Sequence, residues 1–196
     1  LCVVPYIVNE GAEKYASLGT EKSKGTKLVS VSGHVKKPGN YEVVLGTPMR
    51  EIIYDVAGGI ANDNKLKAFI PGGSSTPMLP ADMVDVLYDY ESIAAAGSML
   101  GSGALIVIDD SVNIVEATLR LISFYMHESC GKCTPCREGT RWLYQIVERI
   151  MQNKGQLEYI EKMEDICDNM AMKTFCPLAD ACVAPVVSSI KYFRSD

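Results

Sequence analysis

The chain has no excess of positive charge, no long apolar run and no second cysteine pair, and each absence removes a class of function. Its 19 Lys and Arg stand against 24 Asp and Glu, a net charge of −5. With no basic stripe in view, nucleic acid is not the expected partner. The longest apolar stretches, such as Gly103–Ile108, fall far short of the ~20 residues that cross a bilayer. No internal repeat or low-complexity tract is present, so repeat architectures are excluded. No signal peptide is visible in these residues: Leu1 has no Met before it, and Cys2-Val3-Val4-Pro5 has no basic residues ahead of it. The chain is therefore expected to be a piece of a longer one. What remains is ordinary globular composition, 47% hydrophobic and 22% charged over 196 residues, with room for one large domain or two small ones.

Cysteine is what the chain does have. There are seven, an odd number, and Cys130, Cys133 and Cys136 fall within a seven-residue run. That pattern suits a reducing compartment and a metal site better than a disulfide framework. Three cysteines wrapped around Gly131, Lys132, Thr134 and Pro135 cannot all pair with one another. Their spacing suits three corners of one iron–sulfur cluster, whose usual ligands are four Cys thiolates. Zinc is the rival, with His127 three residues before Cys130 as an available ligand. Zinc sites usually bring two separate ligand pairs, and beyond the overlapping run Cys130–Cys136 no second pair is present. The bacterial ferredoxin run would continue to a fourth Cys-Pro, where Thr140-Arg141 stand instead. The expectation is a four-iron cluster with a distant fourth ligand.

Cys176 is the favoured fourth thiolate. Thr134-Pro135 reads as the start of a helix that places Cys136 in its first turn, and Cys176 precedes Pro177 in the same manner. Unpaired N–H groups and the positive dipole end favour a thiolate at both places. Cys167 and Cys182 lie on apolar helical faces, where a buried inert thiol is expected, and Cys2 sits in an apolar segment to which the same applies.

Two different patterns of organisation flank residue 110. Residues 1–19 read as one helix ending at Gly19, followed by the polar linker Thr20–Gly25, so that 1–25 are the remnant of an upstream element. Residues 26–109 read as a small mixed domain. Strands are expected over Lys27–Val35, Tyr41–Leu45, Leu66–Ile70 and Ala104–Ile108, with a helix over Met49–Val56 capped by Thr47 and a short helix over Glu91–Ala96. The order is compatible with a β-grasp. Residues 110–196 carry four amphipathic helices, the first capped by Ser111, and read as a bundle. The fold class is α+β: a β-grasp followed by an all-α four-helix bundle.

The segment Glu128-Ser129-Cys130-Gly131-Lys132-Cys133-Thr134-Pro135-Cys136-Arg137-Glu138-Gly139 resembles the signature of the NADH-binding flavoprotein subunit of respiratory complex I. Thr174-Phe175-Cys176-Pro177-Leu178-Ala179-Asp180 is similar to that family's fourth-ligand motif. Gly33–Gly39 and Pro71–Pro77 resemble its soluble-ligand-binding β-grasp (SLBB) domain. The resemblance implies that Cys130, Cys133, Cys136 and Cys176 hold a [4Fe–4S] cluster fed singly with electrons from FMN that NADH has reduced. It implies an FMN and NADH site upstream of Leu1, so these residues alone should not turn over. It also implies a small 2Fe–2S subunit and a large multi-cluster subunit as partners, in a peripheral arm on the cytoplasmic or mitochondrial matrix face. Pro177 and Cys182 depart from the commoner form of the motif. The alternatives are the diaphorase subunit of an NAD-linked hydrogenase or formate dehydrogenase, and a zinc-stabilised interaction module with no redox role.

Other signals carry less. The Pro71–Pro77 loop lacks the Lys-Ser/Thr of a phosphate-binding loop and reads as a tight turn. Gly101-Ser102-Gly103 leads into a strand and lacks a dinucleotide-binding context. Glu128 and Lys132 read as solvated loop charges, Trp142 as bundle core, and Pro185 as a kink or interruption of the last helix.

Overall fold

Alternation builds the first strand. In β1, Thr26–Gly33, Val29 and Val31 point inward and are buried while Leu28, Ser30 and Ser32 face out. β1 pairs antiparallel with β2, Gly39–Val44, and parallel with β5, Ala104–Asp109. β3, Leu66–Ile70, runs antiparallel on the far side of β5, and the two-residue β4, Leu79–Pro80, closes the edge. The order β2-β1-β5-β3-β4, with the parallel pair at the centre, is that of a β-grasp. The central strand β5 carries the apolar run Leu105, Val107 and Ile108, all buried, as a strand covered by neighbours must.

The helices of this part form across that sheet. A helix starts at Met49 and continues with wider π-helical hydrogen bonding over Ile52–Val56, together α3. Met49, Ile52 and Ile53 are fully buried in one core with Val29, Leu105 and Val107, each such side chain stabilising by roughly 1.5–3 kcal/mol. Thr47 does not cap α3. Its hydroxyl donates to the Val44 carbonyl at 2.8 Å, and the extended Pro48 precedes the helix with no side-chain cap. A short α4, Tyr90–Ala95, is capped by Asp89, whose carboxylate accepts the Ser92 N–H at 2.6 Å. Residues 1–19 are not one helix. They form α1, Val4–Glu10, and α2, Ala12–Ala16, broken at Gly11, whose φ of 93° and ψ of 150° no helix accommodates.

The computed structural model describes all residues from Leu1 to Asp196. These divide into two compact units, Leu1–Gly73 with Leu79–Asp109, and Ser74–Met78 with Asp110–Asp196.

The second unit is built on α5, Ile114–Glu128; α6, Thr134–Met151; α7, Glu158–Met170; and α8, Leu178–Phe193. Ile122, Tyr125, Leu143, Val147, Met163, Cys167, Met170, Cys182 and Val186 form its core. α5 is capped by Asn113, not Ser111: the Asn113 Oδ1 accepts the N–H groups of Val115 and Glu116 at 2.7 and 3.3 Å. Asn113 sits directly before the first helical residue, within reach of those orphan donors. Pro185 neither breaks nor ends α8, which runs unbroken past it. Its ring is buried in the bundle, where packing outweighs a single lost backbone bond. Trp142 is 51% exposed, because the inward face of α6 is taken by Cys136, Gly139, Leu143 and Val147. The loop read as a plain turn sends Ser74–Met78 into this unit. There the Ser74 and Tyr125 hydroxyls share a 2.9 Å hydrogen bond, and the Met78 N–H donates to the Ser188 hydroxyl at 2.9 Å.

Gly33 ends β1 at φ 85°, and a Cβ there would stand 2.1 Å from the Val107 carbonyl oxygen. Gly33→Ala is therefore expected to lower unfolding free energy by roughly 1–3 kcal/mol through backbone strain. The urea midpoint of the variant against the parent chain measures it.

Candidate metal centre

Helix starts position the cysteines. α5 ends at Glu128, and Ser129 closes it, its N–H donating to the Tyr125 carbonyl. The chain turns at Gly131, φ 76°, and re-enters helix at Thr134, with Cys133 as the N-cap and Pro135 in the first turn. Pro fits there because the first turn's N–H groups have no intrahelical partner. Cys136 thus lies in the first turn of α6, and the Cys133 carbonyl accepts the Arg137 N–H at 2.9 Å. Arg137 then latches the loop, its guanidinium donating to the Gly131 carbonyl at 2.8 Å.

The other participant, Cys176, stands two residues before α8. Its loop is tied down by the Met172 N–H on the Asp180 carboxylate at 2.7 Å and by the Thr174 hydroxyl on the Cys176 carbonyl at 2.9 Å. The two loops meet. The Phe175 N–H points at the Cys133 sulfur at 3.5 Å, and the Lys132 ammonium lies 5.8 Å from the Phe175 ring centre. Close packing of α7 against the start of α6 supports this end, since the space above Gly139 is filled by Met170: a Cβ there would lie 2.3 Å from its sulfur.

The thiols differ in setting. Cys136 is buried, Cys133 half-buried, and Cys130 and Cys176 are open to solvent. No group of three or more His, Cys, Asp or Glu side chains, the four cysteines included, is gathered closely enough to hold a metal ion. His127, in the last turn of α5, is exposed. Cysteine-only donors on two polar loops, with a backbone N–H already aimed at one sulfur, fit a cluster.

Cys167 and Cys182 lie elsewhere, 1% and 0% exposed in the bundle core. Burial pushes the Cys167 thiol up to about 12, with the nearby Asp168 and Glu164 adding to it. Burial raises Cys182 further still, helped by Cys167 and Cys136 beside it. Tyr125 is raised by burial against a countering hydrogen bond from Ser74, with Cys182 adding to the rise. Two contributors were not apparent from the residues alone. Ser129 sits 3.2 Å from the Cys136 sulfur, and Phe175 offers its amide. The only sequence signal for either was its place beside a cysteine.

A β-grasp unit and a helical bundle presenting cysteines at two helix starts define an iron–sulfur carrier of the SLBB-linked kind. Likeness to known proteins narrows the class. Residues 116–196 match the NADH-ubiquinone oxidoreductase-F iron–sulfur binding region, and residues 27–107 match the SLBB domain. The F-type NADH-quinone oxidoreductase subunit of Streptomyces coelicolor is 49% identical over 98% of this chain and 43% of its own length. That of Mycobacterium tuberculosis is 50% identical over the same shares. A crystal structure of an NAD+-reducing [NiFe]-hydrogenase superimposes with a TM-score of 0.86 at 29% identity, over 98% of this chain and 32% of the hydrogenase chain. The two segments of this chain thus match the SLBB and the NADH-ubiquinone oxidoreductase-F iron–sulfur binding families, and nearly the whole chain is similar to F-type NADH-quinone oxidoreductase subunits. It spans less than half the length of the relatives it matches there.

Thiol burial sets an expected labelling order. Cys2 is exposed, not buried as its apolar segment suggests. In cluster-free protein at pH 8, iodoacetamide should modify the exposed Cys2, Cys130 and Cys176 rapidly and leave the buried Cys167 and Cys182 intact, because only thiolates react. Raising the pH should not expose Cys167 to reagent until its elevated ionisation near 12 or unfolding intervenes. Peptide mass spectrometry over a pH series reads this directly.

Proposed function

We propose that the chain is the electron-relay portion of an NADH-oxidising, F-type subunit, with Cys130, Cys133, Cys136 and Cys176 as the ligands of a [4Fe–4S] cluster. The observation that carries the ligand set is the meeting of the Cys130–Cys136 loop with the Phe175–Pro177 segment, through the Phe175 N–H and the Cys133 sulfur. Held by these four thiolates, a cluster would supply one-electron chemistry, of the kind that links FMN reduced by NADH to clusters of a neighbouring subunit.

The chain's own residues do the rest. The four thiolates bind, and the first turns of α6 and α8 direct unpaired N–H groups and positive dipole ends toward negative charge. Buried Cys136 keeps water from one side. Exposed Cys130 and Cys176, with Phe175 at 89% exposure, leave the other side open for electron entry and exit. Hydride transfer from NADH to FMN is assigned to a part of the parent subunit outside these residues. The proposed partners are the small 2Fe–2S subunit and the large multi-cluster subunit, in a peripheral arm facing the cytoplasm or mitochondrial matrix. No helix is long and apolar enough to cross a membrane. The diaphorase subunit of an NAD-linked hydrogenase is the second assignment, supported by the 0.86 superposition. The first is favoured by 49% identity to an oxidoreductase relative against 29% to the hydrogenase.

Anaerobically prepared protein should hold about four irons per chain and show a cluster EPR signal on reduction. Stoichiometric zinc with no iron uptake on reconstitution would sink the relay. Cys176→Ala should abolish or convert the cluster, while Cys182→Ala should leave its spectrum unchanged; the reverse pattern moves the fourth ligand to Cys182. Without the rest of the parent protein, these residues should show no NADH oxidation.

A further inference from the structure

Ser129 is the one side chain outside the cysteines that touches a proposed ligand sulfur through a hydroxyl, its Oγ lying 3.2 Å from the Cys136 Sγ. Between a serine and a free thiol either group can donate. The Gly131 N–H donates to the same oxygen at 3.3 Å, which leaves the Oγ proton and a second lone pair available. A cluster-bound cysteine is a thiolate with no S–H to give, so with a cluster in place the Ser129 O–H donates to the Cys136 sulfur.

We infer that Ser129 sets the reduction potential of the cluster by donating a hydrogen bond to the Cys136 thiolate; this rests on the ligand assignment proposed above. A donor aimed at a ligand sulfur withdraws electron density and stabilises the reduced form, whose extra negative charge falls partly on the sulfurs. Geometry makes Ser129 effective. Cys136 is 8% exposed, so its sulfur has little water to compete as donor, and a hydrogen bond in such a setting counts for more than one in solvent. Ser129 is also held in place, being the residue that closes α5 through its N–H on the Tyr125 carbonyl. Gly131 in turn is fixed by the Arg137 guanidinium on its carbonyl at 2.8 Å. The same end of the bundle offers the Phe175 N–H to the Cys133 sulfur, a backbone donor that a side-chain substitution leaves in place. Ser129 is therefore the adjustable member of the pair. It positions a proton on a ligand and takes no part in the transfer itself.

The test compares the cluster midpoint potential in wild-type protein, Ser129→Ala and Ser129→Thr, by EPR-monitored redox titration of the intact protein. Ser129→Ala is expected to move the potential to more negative values with iron content retained, and Ser129→Thr, which keeps the hydroxyl, to restore it. The proton coupling that pulsed EPR loses on transfer from H2O to D2O should be weaker in Ser129→Ala than in wild type. An unchanged potential in Ser129→Ala at full iron content overturns the inference. So does a loss of iron in Ser129→Ala whose remaining clusters titrate as wild type, since Ser129 would then be a loop brace only. Absence of any cluster in the wild-type protein would instead count against the ligand assignment, a distinct failure.

Discussion

One hydrogen bond, from the Phe175 N–H to the Cys133 sulfur, joins segments 42 residues apart, and with Lys132 over the Phe175 ring it brings the two cysteine loops together. Each loop by itself is a polar turn with a solvent-facing thiol. With the loops joined, two helix N-termini face the same neighbourhood, and their unpaired amides become a shared resource for negative charge. The surrounding devices serve the same geometry: the Arg137 latch on Gly131, the Asp180 carboxylate on the Met172 N–H and the Met170 side chain lodged over Gly139. A polar site is thereby fixed at the rim of an apolar bundle, where one flank is dry and the other wet.

Most of this was legible in the residues, for physical reasons that differ by element. β3 was readable to the residue because Leu66–Ile70 is a short apolar run between turn signals. The four bundle helices were readable from their apolar stripes. Capping was less so. Ser111 and Asn113 are equally good caps in isolation, and only the helix start at Ile114 selects Asn113. Trp142 misled because a lone large aromatic suggests core, although three smaller residues and a cysteine already fill that face of α6. Pro185 misled in the opposite sense, since a local rule about backbone donors yields to the packing of a whole helix.

The site divides along the same line. Cysteine spacing proposes the ligands, and the burial of Cys167 and Cys182 follows from their helical faces. What surrounds the ligands does not announce itself. A serine after a helix and an amide before a proline are common, and their aim at sulfur is a product of tertiary structure. Donors near a redox centre are thus harder to find in a sequence than the centre itself.

The excursion of Ser74–Met78 into the helical unit bears on how separable the two parts are. The peptide chain passes between the units three times, and the helical unit recruits a short segment encoded in the middle of the other. The Tyr125 hydroxyl shares a hydrogen bond with Ser74 of that segment, and the Ser188 hydroxyl accepts the Met78 N–H while itself donating to the Ala184 carbonyl at 2.8 Å. A gene cut after residue 109 would leave Tyr125 without its Ser74 partner and Ser188 with only its bonds inside α8. The helical unit is in this sense not a contiguous cassette: five of its residues are encoded inside the stretch that builds the β-grasp.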